Sequence, residues 1–315
     1  MPQRAQHHRQ LATDNQQLPS QSDGSGQQLP LHSKSSDFME LVKLRLSLLV
    51  LITTLVGFLL GWVGPMNYFL LVVTLFGTAL SACGASALNQ WWEHELDALM
   101  KRTRDRPLPA KRLHPRDALL FGILSVLIGT SLLFFFVNEL SAALGLATVA
   151  IYVLGYTPMK RHTTLNTLLG AVPGAIPPLL GWTAATGEMG LDGVLLFLIL
   201  WFWQMPHFLA IAWLYRDDYA AAGFCMLSVD DPEGLMTSRQ ALLYALGLLA
   251  VSLLPGLIGM ATPLYFVLAF ILGGLFVAAA VFFVIHRTRQ HARRLFFASI
   301  IYLPLILGAL LFCKN

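Results

Sequence analysis

Charge is what this sequence has least of. Asp, Glu, Lys and Arg make up 12% of its 315 residues, against 56% hydrophobic ones, and the mean hydropathy is +0.63. A soluble domain carries roughly a quarter of its residues charged so that water can wet its whole surface; the shortage excludes one. Cysteine is scarce as well. Cys83, Cys225 and Cys313 stand far apart and in no metal-ligand spacing, which excludes a disulfide scaffold and a thiolate metal centre and leaves them as small packing residues. No Ser/His/Asp or Cys/His arrangement offers a side-chain nucleophile. Residues 1–36 are rich in Gln, Ser and His and lack the apolar core of a cleavable signal peptide, so they read as a disordered cytoplasmic tail ahead of a domain spanning 37–315. A few arginines there make a transit peptide the weaker alternative.

Long apolar runs are what the chain has in abundance. Nine stretches approach the roughly 20 residues that carry an α-helix across hydrocarbon: 46–63, 68–88, 118–137, 140–158, 164–185, 193–214, 241–261, 265–285 and 295–313. The fold class expected is therefore an all-α, polytopic membrane protein. With a cytoplasmic N-terminus, 20 of the 21 Lys and Arg precede the first stretch or follow the second, fourth, sixth and eighth; Lys314 alone falls outside. The opposite loops hold only Glu139, Glu188 and Asp192. Basic residues accumulate on cytoplasmic loops, so the pattern predicts N-in, C-out in a bacterial inner membrane. Orientation alone then accounts for the net charge of +4, with no call for nucleic acid.

The densest chemistry lies where the second stretch ends. Asn89, Glu93 and Asp97 recur every four residues, which on a helix leaving the membrane puts three oxygen-bearing side chains on one face. Hard cations such as Mg²⁺ take oxygen ligands, often one or two carboxylates plus substrate phosphates. Arg102, Arg104 and Arg106 follow and could neutralise phosphate oxygens. The plainer alternative is a solvated helix end whose acids pair with those arginines, although the positive-inside rule does not require the acids.

A second acidic pair, Asp217 and Asp218, follows the sixth stretch on the same membrane side, as if on the facing wall of one site. Adjacent residues point about 100° apart on a helix, so one would face a metal and the other could cap. Lys160 and Arg161, after the fourth stretch, could grip the same diphosphate or serve topology alone. His207, inside the sixth stretch in Trp203-Gln204-Met205-Pro206-His207-Phe208, lies about 15 Å deeper than Asp217 at 1.5 Å per residue. Polar groups at that depth usually face a cavity. Imidazole is a common axial ligand of heme iron; the competing role is to satisfy a carbonyl freed by Pro206.

These motifs resemble the intramembrane UbiA-type prenyltransferases, and among them the branch that farnesylates protoheme. The resemblance rests on Asn89, Glu93 and Asp97 running into Lys101-Arg102-Thr103-Arg104-Asp105-Arg106-Pro107, on Tyr156-Thr157-Pro158-Met159-Lys160-Arg161, on Gly170-Ala171-Val172-Pro173-Gly174-Ala175-Ile176-Pro177-Pro178, on the His207 segment, and on Asp217-Asp218-Tyr219 with Gly223. It implies about nine helices around a central cavity open to the cytoplasmic side, with farnesyl diphosphate and heme b as substrates and a hydroxyethylfarnesyl heme as product. It also implies Mg²⁺ on Asn89, Glu93, Asp97, Asp217 and Asp218, diphosphate contacts from Tyr156, Lys160, Arg161 and the three arginines, and heme contact from His207. Implied partners are membrane lipid and a heme A synthase or terminal oxidase assembly. A prenyltransferase of an aromatic or quinone precursor, or a heme or lipid carrier, are the alternatives. The sequence departs from the family pattern at Glu93, where Asp is usual, and at Tyr215 and Tyr219, where carboxylates are expected. Cys225 and Ser228 replace prolines, which brings the mitochondrial inner membrane into view as a second compartment.

Overall fold

A chain crossing hydrocarbon must satisfy every backbone N–H and C=O within itself, and the helix does this locally. The computed structural model describes residues 34–315; the tail reading of residues 1–33 lies outside the described residues. A short helix α1 (Lys34–Leu41) begins just ahead of the boundary that composition places at residue 37. Among the described residues, nine helices are long and apolar enough to cross a membrane: α2 (Leu44–Gly61), α3 (Tyr68–Asp97), α4 (Pro115–Phe136), α5 (Glu139–Met159), α6 (Asn166–Thr186), α7 (Gly190–Leu214), α10 (Leu235–Leu257), α11 (Pro263–His286) and α12 (Arg289–Phe312). The short helices α8 (Arg216–Ala221) and α9 (Leu227–Asp230) lie between α7 and α10. Each of the nine apolar stretches falls on one of these helices, and α3 runs nine residues beyond its apolar run, carrying Asn89, Glu93 and Asp97.

Helices in lipid gain little from burying apolar surface against one another, so close backbone approach through small residues matters more. Gly57 of α2 and Gly181 of α6 are such points: a Cβ on Gly57 would overlap the Pro178 carbonyl, and one on Gly181 the Thr54 carbonyl. On the other side of the molecule α7 packs with α10, α11 and α12 around fully buried Leu196, Ile199, Leu248, Tyr265, Phe283, Leu295 and Ile306. The outer face of α11 presents Leu264, Val267, Phe270, Ile271 and Leu275 as exposed apolar side chains, which suits a hydrocarbon surround.

The loops at one end of the helices are tied to each other. The 98–114 segment is anchored to α1 by Arg112, whose guanidinium donates to Asp37 at 2.7 Å and Glu40 at 3.2 Å. Gln90 of α3 donates to the Leu41 carbonyl at 2.7 Å. Met100 packs with Ala222, Phe224 and Met226, and Cys225 N–H donates to the Lys160 carbonyl at 2.7 Å. Three loops far apart in sequence thus close over one end of the bundle.

Candidate active site

The last turns of α3 form one wall. Asn89, Glu93 and Asp97 are 1%, 4% and 1% exposed, far too buried for a solvated helix end. Each meets a cation from another element. Lys43 Nζ donates to Asn89 Oδ1 at 2.8 Å, Lys160 Nζ lies 2.8 Å from Glu93 Oε1 and 2.9 Å from Oε2, and Arg106 Nη1 donates to Asp97 Oδ2 at 2.6 Å. The Asn89 amide also donates to Glu93 and to Thr157 Oγ1, both at 3.0 Å.

Lys43 owes its position to the break between α1 and α2, where it adopts a left-handed backbone with φ 49°. For a residue with a Cβ that conformation costs about 1–2 kcal/mol, so the surrounding contacts must hold it. Burial pulls its ammonium down to about 7, and the nearby Arg106 and Lys160 charges push the same way. Lys160 goes in the opposite direction: burial would lower it, but Tyr156 and the Glu93 carboxylate together hold it above the ordinary lysine range.

Helix α5 contributes two tyrosines through a local irregularity. Residues Ile151–Tyr156 form a π turn, a one-residue excess that often marks functional sites. Pro158, two residues beyond the turn, has no N–H to give to the preceding helix. Thr157 closes the turn instead, giving both its N–H and, at 2.9 Å, its hydroxyl to the Tyr152 carbonyl. The Tyr152 and Tyr156 rings stack with centroids 5.7 Å apart. Tyr152 OH donates to Asn89 Oδ1 at 3.2 Å, and Lys160 Nζ sits 4.6 Å from the Tyr156 ring centre.

These groups surround a cavity of about 370 Å³ lined by Lys43, Asn89, Glu93, Asp97, Arg102, Arg106, Tyr152, Tyr156, Lys160, His207, Tyr219 and Phe224, among others. Four cations thus face two carboxylates. Of the residues singled out from sequence, Arg104, Arg161, Asp217 and Asp218 are not among its lining. Arg104 is exposed beside Asp105, Arg161 is exposed, and Asp217 is exposed with Arg216 at 3.7 Å. The wall expected from the second acidic pair is aromatic: Tyr219 and Phe224 line the cavity, and the Arg102 guanidinium lies 5.4 Å from the Tyr215 ring centre and 5.9 Å from that of Tyr219.

His207 lines the same cavity. Its ring is stacked on Trp203 and Phe296, both at 5.0 Å, and its Nδ1 lies 2.7 Å from Ser299 Oγ on α12. Ser299 has one hydroxyl proton, which it gives to the Phe296 carbonyl at 2.5 Å. It therefore accepts from His207 Nδ1–H, and in the neutral imidazole the Nε2 lone pair is left unprotonated. The bond to Ser299 takes the place of the freed-carbonyl role. A second, apolar cavity of about 160 Å³ runs among α2, α3, α5, α6 and α7, and Leu46, Tyr152, Gly170 and Phe208 border both spaces.

Sequence reading missed Lys43, Tyr152 and Ser299. Lys43 was visible only as a topogenic charge, and the hydroxyls of Tyr152 and Ser299 carried no signal. Among the described residues no three His, Cys, Asp or Glu side chains gather into a metal cage. Two carboxylates and an amide oxygen on one face still match the donor set of Mg²⁺, which usually leaves its other positions to phosphate and water.

The sequence pattern of the UbiA prenyltransferase family matches residues 50–301. The protoheme IX farnesyltransferase of Solibacter usitatus is 44% identical over 284 residues, covering 87% of this chain and 97% of its own. That of Opitutus terrae is 45% identical over 280 residues, covering 89% and 95%. The mitochondrial human protein of the same name is 39% identical over 275 residues, covering 87% and 61%. Among solved structures, a digeranylgeranylglyceryl phosphate synthase superposes with a TM-score of 0.76 at 16% identity, covering 89% of this chain and 98% of its own. A UbiA homolog from Archaeoglobus fulgidus bound to GPP and Mg²⁺ gives 0.63 at 14% identity, with 87% and 99% covered. At such identities the likeness is one of fold.

Proposed function

Because the chain belongs to the UbiA prenyltransferase family, we propose that it transfers the farnesyl group of farnesyl diphosphate to a vinyl group of heme b, giving heme O. The observation that carries this is the charge pattern of the site. Four cations surround two carboxylates and an amide at the mouth of an apolar cavity, an arrangement suited to a diphosphate head with a hydrocarbon tail. The acceptor follows from the heme-farnesylating relatives.

Asn89, Glu93 and Asp97 would hold Mg²⁺, which when bound screens the diphosphate oxygens. Lys160, Arg102, Arg106 and Lys43 bind the same oxygens and stabilise the negative charge that grows on the leaving group as the allylic C–O bond ionises. Tyr152 stands at the boundary of the two cavities and Tyr156 lines the polar one beside it, where the Tyr152 ring can stabilise the allylic cation. The apolar cavity keeps water from that cation until the vinyl carbon attacks it. Attack leaves a cation on the carbon next to the porphyrin; water adds there, a proton departs, and a hydroxyethylfarnesyl group results. No protein nucleophile is consumed. His207, with Nε2 unprotonated, is the side chain we assign to the porphyrin iron. Arg104, Arg161, Asp217 and Asp218 would reach the diphosphate only if their loops close further over the bound substrate.

The N-terminus is proposed to face the cytoplasm of a bacterial cell. A heme A synthase or terminal oxidase assembly would be the product's recipient. The deciding experiment incubates membranes containing the protein with heme b, farnesyl diphosphate and Mg²⁺, followed by chromatography and mass spectrometry. A porphyrin whose mass rises by one farnesyl and one hydroxyl group, as a vinyl becomes hydroxyethylfarnesyl, is expected, with the product lost on adding EDTA. Unmodified heme beside a prenylated aromatic acceptor would overturn the acceptor and leave the diphosphate site standing.

A further inference from the structure

The polar pocket has a neighbour that the farnesyl chemistry does not use. Between the end of α7 and the start of α12 lies a cleft of about 520 Å³, bordered by Ile211, Leu214, Tyr215, Arg289, Arg293 and Phe296. That volume is within the range of small-molecule sites, roughly 300–1,000 Å³. Its walls are mainly apolar, its lining holds two guanidinium groups, and among the described residues none that lines it is acidic. One Arg289 nitrogen donates to the Leu214 carbonyl at 2.6 Å, which leaves the rest of its guanidinium for another acceptor. The Arg293 guanidinium lies 5.6 Å from the Phe297 ring centre.

The cleft adjoins the site through two residues. Ile211 lines both spaces, and Phe296 borders the cleft while stacking at 5.0 Å on His207 of the polar pocket. From this arrangement we propose that the α7–α12 cleft seats the propionate edge of the porphyrin, with Arg289 and Arg293 as the carboxylate partners. The proposal rests on the heme-farnesylating function proposed above. Protoporphyrin IX carries its two propionates on one edge and its two vinyl groups on the other. Two guanidiniums match the two carboxylates, and arginine is the side chain best shaped for carboxylate pairing. Holding the propionates at the cleft points the vinyl edge past Ile211 toward the pocket in which the allylic cation forms. Tyr215 and Phe296 supply the aromatic surface that a macrocycle can lie against.

Topology alone would also place arginines here, so the test must read ligand discrimination. The protein, purified with its lipid, is assayed with heme b and with its dimethyl ester, in which both propionates are uncharged. Wild-type protein is expected to show a KM for the ester at least tenfold above that for heme b. Arg293→Gln removes a side chain that holds no backbone group among the described residues; it should raise the KM for heme b about tenfold, leave the KM for farnesyl diphosphate within twofold, and reduce the preference over the ester. Arg289→Gln should act in the same direction, and an unchanged thermal midpoint would separate its effect from the lost Leu214 contact. Equal use of ester and free acid by wild type, or an Arg293→Gln protein with unchanged heme KM and preference, overturns the proposal. Absence of any heme farnesylation by wild type overturns the function reading instead, and this proposal with it.

Discussion

Asp97, 1% exposed with Arg106 at 2.6 Å, is the carboxylate with most to lose from neutralisation. Asp97→Asn is expected to lower heme farnesylation by about 10²–10³-fold, the cost typical of removing one preorganised electrostatic partner of a transition state. Insertion into the membrane should be unaffected; turnover retained at saturating Mg²⁺ would exclude Asp97 as the proposed metal ligand. Lys43 allows a cleaner separation of function from folding, because its backbone is left-handed. Lys43→Gly relieves a conformation worth about 1 kcal/mol or more, so the thermal midpoint should hold or rise. The KM for farnesyl diphosphate should meanwhile increase about tenfold, through loss of one charge-assisted contact. A variant with wild-type KM would exclude Lys43 from substrate binding. At this scale the chain was half readable. Asn89, Glu93 and Asp97 announce themselves by a four-residue period on one helix, whereas Lys43 and Ser299 reach the site from positions 46 and 92 residues from their partners, a separation that leaves no local pattern. The sequence offered Asp217 and Asp218 as a pair of which one would face a metal, and α8 leaves Asp217 exposed beside Arg216.

At the scale of elements, hydrophobic length marked all nine spans because a bilayer imposes a minimum run and little else satisfies it. What the runs could not reveal is how closely helices approach. Gly181→Ala drives a Cβ into the Thr54 carbonyl of α2, and overpacking of this kind costs about 1–3 kcal/mol. A lower thermal midpoint in detergent is expected, while Gly274→Ala, which meets open space, serves as the unchanged control; equal midpoints would show that α2 and α6 can part freely. The π turn of α5 was equally hidden. Pro158 is plain in the sequence, but a proline near a helix end normally signals only termination, and it took the Thr157 bonds to the Tyr152 carbonyl to define the turn that carries the two tyrosines.

Over the whole molecule, 20 of 21 Lys and Arg fall on one set of loops by sequence, and the candidate site lies at the helix ends that those loops join. A reporter fused after Asn315 is accordingly expected to be exported, as judged by periplasmic phosphatase activity; a cytoplasmic reporter would reverse the orientation. One further property belongs to the idle protein. Asn89, Glu93 and Asp97 each meet a cation of the chain itself, so the resting pocket behaves like an ion-exchange bead already loaded with its own counter-ions. A metal–diphosphate pair would enter by swapping partners, its cation relieving the carboxylates and its anion receiving the displaced ammonium and guanidinium groups. Because these side chains already have cation partners within the chain, stripping divalent ions from the substrate-free protein should move its thermal midpoint by no more than about 1 °C. A larger fall on chelation would identify a resident metal. A chain so paired with itself would stand intact in its membrane when magnesium is withdrawn.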